Sequence, residues 1–266
     1  MVNSLLKYTR ITWILIRNCF SKETAYRAPF FFWVIANLLW LWFAFYSIDL
    51  LFNQVEVIAG WNALDAKMLV TVYSLFLTLV WVFIMPNLIV FWRLINAGTM
   101  DFHLLKPISA RFLSSATYFE FDMIPRLIPI VLVMGTVISS LSRVISWDEW
   151  VIFWLTMMLG VIIFYNFGFM IATTCFWFTK IDSLEDFLNA TQAISKYPPD
   201  IFKGIPRVVF VYLVPSIFLA AFPTMVLLGR GKFDILTLSL LGVVVSTVAS
   251  QKFWHFALRH YSSASS

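Results

Sequence analysis

Residues 68–95 read MLVTVYSLFLTLVWVFIMPNLIVFWRLI, and this apolar run decides the class of fold. A helix needs about 20 mostly apolar residues to cross a bilayer, and this stretch is long enough. Four more runs flank it: Pro29–Phe52, Leu113–Leu141, Trp150–Phe178 and Ile235–Phe256, with a sixth, proline-broken run at Ile205–Leu228. Of the 266 residues, 61% are hydrophobic and 12% charged, against about 25% charged in an average soluble domain. Single cores stop growing near this length, so lipid has to serve as the solvent. The sequence therefore predicts an all-α integral membrane protein of six transmembrane helices, forming one domain over residues 1–266. Its 12 Trp, 9 Tyr and 28 Phe belong at the two interfaces and on helix–helix contacts. Asp49 falls near the end of the first run, where many large apolar neighbours offset one peripheral charge.

Ahead of the first run, Leu5, Leu6, Trp13, Ile16 and Phe20 alternate with Lys7, Arg10, Arg17 and Lys22 at roughly helical spacing. This is the pattern of an amphipathic helix over residues 1–28, lying in the interface or packed on the cytoplasmic side of the protein. No cleavable signal peptide is read there. Lys and Arg number five before the first span (through Arg27), one in the next loop (Lys67), three in the next (Arg93, Lys106, Arg111) and one after that (Arg143). That bias places both termini in the cytoplasm of a multi-pass protein.

Residues 180–234 allow two readings. The stretch from Asp182 to Lys196 is amphipathic: Leu184, Phe187, Leu188, Thr191 and Ile194 line one face, Asp182, Glu185, Asp186, Asn189 and Gln192 the other. Either it is a cytoplasmic helix and 205–228 is the fifth span, or 180–197 is a short span with its polar face turned inward. In the second case, 198–230 dips back into the membrane from outside, kinked at Pro206, Pro215 and Pro223. The charge count favours the first arrangement; both keep six crossings.

The motifs exclude more than they assign. No GxxxxGK[ST] phosphate loop is present, and Gly229–Lys232 lacks its spacing and its hydroxyl residue. His103, His255 and His260 fall in no zinc-ligand pattern, and there is no Gly-x-Ser-x-Gly elbow. Cys19 and Cys175 form neither a disulfide framework nor a CxxC pair. Asp182 and Asp186 are a loose DxxxD with little metal character, and no contiguous basic face suits nucleic acid. Catalytic and metal residues are thus expected to be none, as are cofactors bound by this chain.

The informative loop follows the second span: Gly98-Thr99-Met100-Asp101-Phe102-His103-Leu104-Leu105-Lys106-Pro107. Gly and Pro bracket a short stretch with Asp at its start and Lys at its end, which suits a small helix and its dipole. Gly98, Asp101, Leu104 and Pro107 resemble the Gly-x-x-Asp-x-x-Leu-x-x-Pro coupling element of ABC-2-type permeases. Tyr197-Pro198-Pro199-Asp200-Ile201-Phe202, then Arg207, Pro215 and Pro223, is similar to a Tyr-Pro-x-x-Ile-Tyr…Arg…Pro…Pro segment in a branch that includes drug and viologen exporter permeases. Phe202 stands where that pattern has Tyr.

The resemblance implies a type V ABC exporter-like architecture. Its loop 98–111, with Leu105 among its contact residues, would dock on a separate cytoplasmic ABC ATPase that holds ATP-Mg. Residues 198–230 would form the external re-entrant hairpin. The chain would be the permease subunit in a bacterial inner (plasma) membrane, among membrane lipid, paired with a second identical or related permease chain. Its cargo would be a small amphipathic or lipophilic cationic compound moving outward. Glu120, Asp122 and Arg126, inside the third run, are candidates for substrate contact or structural pairing, since Asp122 and Arg126 stand at i,i+4. Aromatic clusters at Phe30–Trp33 and Trp40–Tyr46 offer cation–π surface. The other classes considered are a membrane-embedded lipid-modifying enzyme and a non-transporting assembly factor.

Overall fold

The computed structural model describes residues 2–23, 28–178 and 184–260, and every described regular element is helical. Arg27, counted above toward orientation, and Asp182, half of the DxxxD pattern, lie outside the described residues. In chain order the helices are α1 (Val2–Glu23), α2 (Ala28–Phe52), α3 (Ala63–Phe83), α4 (Met85–Asn96), α5 (Asp101–Leu104), α6 (Ala110–Leu113), α7 (Leu127–Ser139), α8 (Trp147–Thr173), α9 (Leu184–Ala193), α10 (Ile205–Arg207), α11 (Phe222–Leu227) and α12 (Phe233–His260). Among the described residues, five helical stretches are long and apolar enough to cross a membrane: Phe31–Phe52, Ala63–Phe83, Phe121–Ser139, Trp147–Phe176 and Phe233–His260.

Two expected spans are broken for identifiable reasons. The run 68–95 splits into α3 and α4 because Pro86 has no N–H to donate and stands at the first turn of a new helix. The run Leu113–Leu141 becomes helical for good only at Phe121, as a 3-10 turn (Phe121–Arg126) leading into α7. The irregular backbone before it is held by Asn87, which is almost wholly buried. Its amide donates to the Tyr118 carbonyl at 2.7 Å and accepts from the N–H groups of Thr117 and Tyr118 at 2.9 Å each. A buried backbone without such a partner would be costly in lipid.

The stretch 205–228 is not one helix. Proline cannot sustain the helical ladder, and α10 passes through π-helical turns at Val208–Leu213 and Ile217–Ala221 before α11. Both of its ends lie at one end of the bundle. The entering chain meets the α2–α3 loop where the Trp61 indole N–H donates to Asp200 Oδ2 at 3.2 Å. The leaving chain meets the same loop region and the α7–α8 loop: Arg230 pairs with Asp65 at 2.5 Å, and Arg143 donates to the Leu227 carbonyl at 3.1 Å. Between these ends, Phe218 lies against Gly160, 13 residues into α8 and so roughly 20 Å deep at about 1.5 Å per residue. The end that carries Trp61 also carries 140–146 and 227–232; the opposite end carries Gly98, α5 and α6.

The core lies where α3, α8 and the 217–227 turns meet, with α12 packed along α8. Near the Gly98 end Phe91 stacks on Phe169 with ring centroids 5.0 Å apart, and Trp254 of α12 closes the cluster at 5.3 Å from Phe169. By contrast, α2 hardly enters the core: Phe31, Phe32, Trp42 and Phe43 all point outward.

Candidate functional site

The Gly98 loop is built to project. Gly98 ends α4 in the left-handed region at φ 66°, where glycine bears no Cβ penalty, and Thr99 N–H caps Leu94 C=O at 3.0 Å. Met100 is buried beneath the loop, while Phe102 (69% exposed) and Leu105 (82% exposed) stand out from it. Thus Gly98, Asp101, Leu104, Leu105 and Pro107, five residues singled out from sequence, form one turn–helix–turn. The 3.2 Å bond from Lys7 Nζ to the Pro107 carbonyl ties α1 to its far side. Partial burial and the nearby Lys106 charge hold the His103 imidazole below its ordinary range, so it is neutral near pH 7.

The loop is anchored by a residue whose role was not legible from sequence. Arg111, on α6, reaches between α8 and α12, donating to Asn166 Oδ1 at 2.9 Å and to Ser250 Oγ at 2.8 Å. Its guanidinium lies over the Phe169 ring at 4.8 Å. Asn166 (2% exposed) extends the network by donating to Thr247 Oγ1 at 3.0 Å, and the Ser115 and Tyr165 hydroxyls are hydrogen-bonded beside it. Arg111 read as one more loop charge. The signal for its partner was a lone Asn within the apolar run 150–178.

Asp122 and Glu120 both act electrostatically on Arg126, so the three charges share one neighbourhood. The backbone at Phe121–Arg126 is a 3-10 turn rather than an α-helix, and Arg126 also places its guanidinium 3.8 Å from the Trp33 ring centroid of α2. Buried Asp122 Oδ1 makes no hydrogen bond. Glu120 lines a cavity of about 380 Å³ between α1, α3, α4 and α9, together with Trp81, Arg93, Tyr118, Phe119 and Glu185. Two carboxylates among three aromatic rings suit a lipophilic cation; Arg93 offsets one of the two charges.

At the Trp61 end the hairpin residues meet a charge cluster. Arg207 approaches Asp200 at 3.5 Å, Tyr197 is half exposed, and Pro198 is buried. Pro215 separates the two π-helical turns. Arg230 also covers the Trp61 ring at 5.0 Å. Lys232 bonds Asp148 at 2.8 Å and Glu149 at 3.1 Å, and these hydrogen bonds raise its pKa further. Trp61 carries no local signal in the sequence. Among the described residues no group of three or more His, Cys, Asp or Glu is placed to hold a metal ion.

A family model described as ABC-2 family transporter protein matches residues 38–265. Comparison with curated proteins and with solved structures gave no match. The chain belongs to the ABC-2 transporter family and is a multi-pass membrane component of a transport system.

Proposed function

We propose that this ABC-2 chain is the permease subunit of an ATP-driven exporter, working with a separate cytoplasmic ABC ATPase that binds ATP-Mg. The observation that carries the proposal is the Gly98 loop. Phe102 and Leu105 form an apolar knob beyond the ends of the spans, a position that suits insertion into a partner. The same loop is fixed through Arg111 to α8 and α12, so a push on the knob has a rigid route into the bundle. ATP binding would close the ATPase dimer, shift the loop, and rock rigid helix groups against one another.

In this reading the Gly98 end and both termini are cytoplasmic, as the Lys and Arg bias supports. Residues 184–196 make a short sixth crossing, and 198–230 is a hairpin that re-enters from outside, the type V exporter arrangement. Support comes from both ends of the hairpin meeting the Trp61 end while Phe218 reaches mid-depth on α8. The unburied aromatic face of α2 suits contact with a second, identical or related permease chain. The cargo class is a small lipophilic cation, for which the Glu120 cavity supplies carboxylates and rings.

Co-purification tests the assignment. Leu105→Asp and Phe102→Asp should leave the folded permease intact, because both positions are exposed, and should abolish association with the co-expressed ATPase. Full association and permease-stimulated ATP hydrolysis in both variants would overturn it.

A further inference from the structure

A second cavity, of about 370 Å³, opens between α2, α3 and the 196–201 segment at the Trp61 end. Its volume falls within the range of small-molecule sites, about 300–1,000 Å³. Trp40 and Phe43 of α2 form one wall, Ile48 and Val70 belong to its apolar lining, and Lys196 and Ile201 line the opposite side. We propose that this cavity binds an anionic amphiphile, with its hydrocarbon between α2 and α3 and its negative headgroup on Lys196.

The inference rests on charge placement. Lys196 Nζ lies over the Tyr197 ring at 5.2 Å, but among the described residues no carboxylate is within ion-pair distance of it. The acids nearby are committed elsewhere: Asp49 to Lys67 at 2.6 Å, Asp65 to Arg230 at 2.5 Å, and Asp200 to Trp61 and Arg207. An ammonium at the edge of an apolar cavity is stabilised by an anion it can pair with while keeping its stem in hydrocarbon. A lipophilic cation would meet repulsion here, which sets this cavity apart from the one at Glu120. The inference is independent of the ATPase assignment.

The ligand chemistry has two sources, a resident anionic phospholipid or a free long-chain acid. Native mass spectrometry of the full chain released from phosphatidylcholine nanodiscs, doped with either phosphatidylglycerol or oleate, distinguishes them. The wild type should retain a bound anionic amphiphile. Lys196→Glu should cut retention roughly tenfold or more, while Lys196→Arg should keep it. Ile201→Trp, at a half-exposed position that tolerates bulk, should obstruct the cavity with Lys196 intact, and it decides the matter if Lys196→Glu fails to fold. Retention of phosphatidylglycerol alone identifies a membrane lipid; retention of oleate, alone or beside it, identifies a single-chain acid. No retained anion, phosphatidylcholine held equally well, or undiminished retention in Ile201→Trp overturns the proposal.

Discussion

Trp61 and Asp200 lie 139 positions apart in the chain, and the indole N–H of one donates to the carboxylate of the other at 3.2 Å. The same ring carries Arg230 on its face at 5.0 Å, so one side chain meets both ends of the stretch 198–230. Trp61→Phe keeps most of the packing and removes the donor. With Asp200 partly in solvent, a loss of about 1 kcal/mol is expected, read as a lower Tm of the purified protein. An unchanged Tm would mean the clamp holds by packing alone.

Accessibility gives a direct test of the hairpin. In a background lacking Cys19 and Cys175, single cysteines at 199–203 should react with an impermeant thiol reagent added outside intact cells. Labelling that needs an opened membrane would put those residues in the cytoplasm and restore 205–228 as a crossing.

Arg111 should behave as a link rather than a docking surface. Hydrogen bonds to a charged group contribute about 1.5–3 kcal/mol, so Arg111→Met should lower stability by that order. Arg111→Lys keeps the charge but not the planar fork that reaches Asn166 and Ser250. It should still co-purify with the ATPase while losing transport. Wild-type transport in Arg111→Lys would sink this role.

A Cβ at Gly160 would overlap the backbone carbonyl of Phe218, whereas one at Gly135 would meet open space. Gly160→Ala should therefore destabilise by about 1–3 kcal/mol as forced overpacking. Gly135→Ala should be neutral or stabilising by up to about 1 kcal/mol, through helix propensity. Chemical or thermal unfolding in detergent reads both; equal effects would show that the 205–228 segment does not seat on α8.

For the charges of the third run, two roles are expected. Glu120→Gln should weaken binding or export of a lipophilic cation with little change in stability. Arg126→Ala and Trp33→Leu should each destabilise, and together cost less than their sum, since they remove one shared contact. Additive losses would show that the guanidinium and the ring act independently.

The long apolar runs were legible because lipid imposes length and composition on any helix that crosses it. The Gly98 loop was legible because a left-handed glycine, a first-turn acid and a helix-ending proline are local signals. What was not legible depends on residues distant in sequence. Nothing near position 61 announces that its indole meets Asp200, and nothing near position 111 announces that its guanidinium passes between α8 and α12. The pairing read at Asp122 and Arg126 assumed α-helical spacing. The backbone is a 3-10 turn there, and Arg126 meets the Trp33 ring as well as the charge of Asp122.

The bond from Arg111 to Ser250 spans 139 residues, and this gives the chain a built-in check on its own completion. While the ribosome is still making the later helices, Arg111 has neither Ser250 nor the α12 wall to lie against, so its seat is held only from the α8 side, by Asn166 and Phe169. The loop thus gains the second half of its anchorage only once α12 packs along α8.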